Sequence, residues 1–117
     1  MLNVIMGFLN KIKKTLELKQ NVPSSKSLQL TEKKILVLKK QFELNPNNPK
    51  ILIELYSCYV KISDLDNKIK CLKNLSDISP NDFYPLQQLA DIYLNELDDE
   101  YEAKIYQNKA NSIKNDV

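Results

Sequence analysis

The chain has 117 residues, enough for one small domain with a modest core. Its 43% hydrophobic content excludes wholesale disorder, and a single glycine, Gly7, rules out a glycine-rich phosphate loop. With no histidine and only two cysteines, a zinc centre and a histidine-based catalytic site are excluded, so neither an enzyme nor a bound cofactor or metal is expected.

All 17 basic residues are lysine, which lacks the planar fork that reads guanine edges; no specific nucleic-acid partner is expected. The net charge of +2 hides an asymmetry. Residues 1–44 carry nine Lys against three Glu, whereas residues 45–117 carry eight Lys against twelve acids. A basic front and an acidic back suggest a front that meets an anionic surface, either lipid head groups or an acidic partner.

In chain order, Leu2, Ile5, Leu9, Ile12 and Leu16 recur at steps of three and four, and predict an amphipathic helix over residues 1–20. Ile5, Phe8, Leu9 and Ile12, with Lys11, Lys13 and Lys14 alongside, form its expected docking face. The apolar run is under half of the ~20 residues that a membrane crossing needs. Its charges follow the apolar run, unlike a signal peptide, so the protein is expected to be cytoplasmic or organellar (stroma or matrix) and not secreted. Such a helix either caps the rest of the fold or docks into a partner or an anionic membrane surface.

Residues 21–30 include the turn-rich Asn-Val-Pro-Ser-Ser-Lys-Ser run and read as a linker. Thr31 is the expected N-cap of a helix to Leu44, with Leu30, Ile35, Leu38 and Phe42 on its apolar stripe. Asn48 then caps a helix that starts at Pro49 and buries Leu52, Leu55, Tyr56 and Tyr59. Asp64 or Asp66 caps the next, with Ile69, Leu72, Leu75 and Ile78 inward. Asn81 or Asp82 caps another, with Leu86, Leu89, Ala90 and Tyr93 inward. Asp98 or Asp99 begins the last, whose larger apolar residues are Tyr101, Ile105, Tyr106 and Ile113. Cys58 and Cys71 fall on successive helices and read as buried free thiols.

Pro46 and Pro80 lie 34 residues apart, each just after one helical pattern and before the next. With Pro49 as the first position of a 34-residue unit, Leu52, Leu55, Tyr56 and Tyr59, then Lys68, Leu72, Leu75 and Pro80, fall on its signature positions. A second unit from Phe83 gives Leu86, Leu89, Ala90 and Tyr93, then, with a one-residue insertion near Asp98–Asp99, Ala103 and Ala110. In this the chain resembles the tetratricopeptide repeat family over residues 31–117. The resemblance implies an all-α helix–turn–helix repeat of about six helices, with two full repeats and a degenerate one. Helices 2–20 and 31–44 would form the third pair that such a stack needs for stability. Tyr56 and Lys68 stand where the family carries small residues, so the helices of the first unit are expected to sit further apart.

The resemblance further implies a concave groove lined by Lys50, Ile53, Ser57, Val60 and Lys61 from one unit and by Tyr84, Gln87, Asp91, Leu94 and Asn95 from the next. Ile53 and Ser57 replace the Lys and Asn of a carboxylate clamp, so an extended peptide or partner helix is the expected ligand. The function so implied is a non-enzymatic interaction module, an adaptor, assembly factor or accessory subunit. The alternative is a peripheral membrane protein held by residues 2–19, and an uncapped repeat edge leaves homo-oligomers open.

Overall fold

Asparagine, aspartate and serine side chains set where each helix begins, because the first turn leaves backbone N–H groups without intrahelical partners. A computed structural model describes residues 24–115, and the segment expected to form the amphipathic N-terminal helix lies outside them. The described chain is all-helical. It forms α1 (Ser25–Leu44), α2 (Pro49–Lys61), α3 (Leu65–Ile78), α4 (Tyr84–Asn95) and α5 (Glu100–Asn115). That is five helices among the described residues against about six expected.

The Asn48 side chain accepts from the Lys50 N–H at 3.0 Å, with Pro49 in the first turn where no donor is missed. Asp64 accepts from the Asn67 N–H at 3.2 Å, and Asp99 from the Glu102 N–H at 3.0 Å. At α4 the cap comes from one residue upstream of Phe83: Asp82 accepts from the Tyr84 N–H at 3.0 Å.

α1 corrects the expected linker. It starts at Ser25, with Ser24 as its N-cap accepting from the Ser27 N–H at 3.2 Å, so residues 25–30 are helical. Thr31 is not a cap; it is buried in the helix and its hydroxyl donates to the Ser27 carbonyl at 3.0 Å. The serines that read as turn formers are equally good helix starters, and the stripe of Thr31, Ile35 and Leu38 gives the early turns something to pack on.

The core is a single cluster running through all five helices, with Leu52, Leu72 and Leu89 essentially without solvent exposure. Each helix packs against its neighbours in the chain, and among the described residues no other pair of helices brings Cα atoms within 8 Å. Small residues lie at the joint of α4 and α5: Ala103 and Ala110 are the buried residues of α5, and Leu89 and Ala90 are buried on α4. The same two helices stack Tyr93 on Tyr106 at 5.4 Å and pair the amides of Gln87 and Gln107 reciprocally at 2.7 and 2.9 Å. Tyr101, expected on the apolar stripe, is exposed. Across α3 and α4, the Lys68 ammonium reaches the Glu96 carboxylate at 3.0 Å.

α2 ends in a nested pair of bonds: the Asp64 N–H donates to the Tyr59 carbonyl at 2.9 Å and the Ser63 N–H to the Val60 carbonyl at 3.2 Å. This closure needs a left-handed residue, and Ser63 supplies it at φ 58°. A side chain there clashes where glycine would not. Replacing Ser63 by Gly is expected to raise stability by about 0.5–1 kcal/mol after the entropy cost of glycine in the unfolded chain. Urea unfolding of the two proteins measures it.

Candidate functional site

α2 and α4 both pack on α3 but keep their backbones apart, and the space between them is a cleft of about 440 Å³. One wall is the outward edge of α2, with Ile53, Tyr56, Ser57 and Val60. The other is the start of α4, with Asp82, Tyr84 and Pro85, and Leu75 of α3 forms the floor. Helical periodicity explains the α2 wall. Leu52, Leu55 and Tyr59 point into the core, so Ile53, Ser57 and Val60 fall on the flank. Pro85 in the first turn of α4 keeps the α4 wall stiff, since its φ is fixed.

The cleft is apolar at its rim as well as its floor. Ile53, Tyr84 and Val60 keep 55%, 52% and 47% of their surface exposed, so three large side chains converge there without cover among the described residues. Polar groups are few. The Asp82 carboxylate is already engaged as the cap of α4, and Ser57 sits exposed between Ile53 and Val60. Burial first, then the neighbouring Tyr84, Glu96 and Cys71, push the Tyr56 hydroxyl above its ordinary range, so at neutral pH it is a protonated donor.

Of the residues expected to line a groove, the structure brings Ile53, Ser57, Val60 and Tyr84 together here. Lys50 and Lys61 are exposed near the two ends of α2, and Asn95 is exposed at the end of α4; none of them lines the cleft. Gln87 turns toward α5 instead. It donates to Gln107, and its carbonyl accepts from Lys114 at 2.9 Å, while Asp91 accepts from Gln87 at 3.2 Å. The expected docking residues Ile5, Phe8, Leu9, Lys11, Ile12, Lys13 and Lys14 lie outside the described residues.

Tyr56, Leu75, Asp82 and Pro85 belong to the cleft without having been expected in a groove. Tyr56 and Leu75 carry an inward signal in their own helices, and only the gap between α2 and α4 converts them into lining residues.

A second depression, of about 520 Å³, lies between α3 and α5. It is more polar, with Lys73, Asp77 and Lys109 around Leu86 and Tyr106. The Lys109 ammonium stands 5.3 Å from the Tyr106 ring. Among the described residues no group of three His, Cys, Asp or Glu side chains could hold a metal ion, and no helix is long and apolar enough to cross a membrane.

The sequence matches no known protein-family model and no curated protein.

Cys58 and Cys71 are both free and buried. Burial, reinforced by Asp64 and Cys58, pushes the Cys71 thiol up to about 11. A thiol held protonated is a poor nucleophile, so Cys71 is inert in the folded protein. The folded state keeps this proton more tightly than the unfolded chain. Its contribution to stability is therefore whole below the ordinary thiol range and is lost as pH rises toward 11. The urea midpoint of the wild-type chain is expected to fall over that window, and to fall less in Cys71→Ala.

Proposed function

We propose that the chain is a tetratricopeptide-type helical module that binds another protein, and acts as an adaptor, assembly factor or accessory subunit without catalysing a reaction. The observation that carries this reading is the cleft between α2 and α4, where Ile53, Val60 and Tyr84 are exposed around an apolar floor. An apolar slot with few polar groups and an aromatic at its rim suits an aliphatic or aromatic side chain presented by an extended peptide or a helix. The 34-residue spacing of Pro46 and Pro80, neighbour-to-neighbour packing and the buried Ala90, Ala103 and Ala110 support the repeat reading.

Tyr84 is the proposed anchor. Tyrosine brings a large contact area with little rotamer freedom to lose, and truncating a central anchor commonly costs about 1–2 kcal/mol or more of binding. Ile53 stands on the opposite wall, where a carboxylate would oppose apolar contact.

Peptides selected by display against the folded full chain are expected to perturb the amide resonances of Ile53, Val60 and Tyr84. Tyr84→Ala and Ile53→Asp should each weaken them by about tenfold or more at unchanged melting temperature. Tyr101→Ala, on the exposed side of α5, should leave affinity intact. Selected ligands that perturb the α3–α5 depression instead, or that bind Tyr84→Ala as well as wild type, would move the site away from the cleft.

A further inference from the structure

α1 carries a second unpartnered apolar row, on the side away from its buried stripe. Leu30, Val37 and Leu44 recur every seven residues and keep 58%, 55% and 81% of their surface exposed. Thr31, Ile35 and Leu38 face the core, and the helical period sets the exposed row about 120° round the helix from them, on an outward flank. Single exposed leucines are ordinary on a protein surface. A straight heptad row along a 20-residue helix with only one packing neighbour among the described helices is the pattern of a helix made to be packed on both sides.

The chain itself holds a matching row. Leu2, Leu9 and Leu16 also recur every seven residues, with Ile5 and Ile12 between them. The two rows are symmetric about Pro23. Leu16 and Leu30 lie seven residues on either side of it, Leu9 and Val37 fourteen, and Leu2 and Leu44 twenty-one. In an antiparallel helical hairpin, residues equidistant from the centre of the turn face one another. Ser24 caps α1 one residue after Pro23, so a turn centred on Pro23 would set these pairs opposite one another. The connection left between the N-terminal periodic pattern and α1 is short, within the range that joins antiparallel helices.

We propose that residues 2–16 pack antiparallel along the outer face of α1, with Leu16 on Leu30, Leu9 on Val37 and Leu2 on Leu44. Charge favours this occupant over a second copy of the chain. Lys26, Lys33 and Lys40 lie on the same outward side of α1 as the apolar row, so two copies meeting there would set lysines against lysines. Residues 2–16 set only Lys13 opposite Lys33, and offer Met6 opposite Lys40. The seam is apolar contact working against lysine repulsion, so added salt tightens it.

The test uses the full chain. Methyl-labelled protein is expected to show nuclear Overhauser effects from Leu9 to Val37 and from Leu16 to Leu30 in a monomeric sample, at low as well as high salt. Val37→Asp, at an exposed position that leaves the core intact, is expected to abolish the Leu16–Leu30 effect. It should also lower amide protection over residues 5–16 by about tenfold or more while leaving α3 to α5 unchanged. Absence of both effects in the wild-type chain at either salt would overturn the proposal. So would effects seen only between differently labelled molecules, which would make a second copy the occupant. Equal amide protection of residues 5–16 in wild type and Val37→Asp would do the same. Residues 2–16 touching the lipids of phosphatidylserine-containing vesicles, and no longer Val37, would assign the segment to a membrane surface instead.

Discussion

Among the described residues, each helix buries its core stripe against its chain neighbours alone. Leu52, Leu72 and Leu89, on three successive helices, are closed off from solvent in the one core cluster. Interfaces arranged in this way act in series. Nothing bridges from α1 to α4 or from α2 to α5 among the described residues, so a weakened joint has no second layer to support it. Side-chain bonds reinforce two of these joints. The Lys68–Glu96 pair ties α3 to the end of α4, and the Gln87–Gln107 amides tie α4 to α5. The ion pair contributes modestly, since the Glu96 side chain is 44% exposed and water screens it. Its larger effect is to fix where the end of α4 sits against α3.

The cleft follows from the same arrangement. α4 and α5 can approach closely because Ala90, Ala103 and Ala110 occupy the inward positions. α2 carries the bulky Tyr56 on the side facing the start of α4, and the two backbones stay apart. The Tyr56 phenol ring lines the cleft, and its hydroxyl stays protonated there. Ile53 and Val60 on one wall and Tyr84 on the other remain exposed to solvent.

Helix identity was legible in the sequence because caps are local. Asn48-Pro49, Asp64, Asp82 and Asp99 each act within three residues of themselves, and each does what its side chain suggests. The start of α1 was not, because serine serves turns and helix starts through the same hydroxyl, and only the packing of Thr31, Ile35 and Leu38 on α2 decides between them. The cleft was legible by half. Ile53, Ser57 and Tyr84 stand off the core stripe of their helices, which periodicity reveals. Tyr56, Leu75 and Pro85 stand on or beside the stripe, and a single helix carries no information about a gap beside its neighbour. Gln87 shares the flank of Tyr84 in sequence terms, yet Gln107 and Lys114 draw it to α5, a preference set by residues twenty or more positions away.

α2 is the element on which the outer face of α1 and the cleft both bear. It packs on α1 on one side and on α3 on another, and its free flank is a cleft wall. A wall made of side chains on one helix is only as well placed as the helix itself. Its 13 residues are too few to hold a helix in water on propensity alone, so its position comes from those two interfaces. Cover on the far side of α1 would stiffen α1, and through the joint at Ile35, Leu38 and Leu52 it would stiffen α2. In a fold whose interfaces act in series, a surface remote from the cleft can therefore set how sharply the cleft is formed, with no contact between the two.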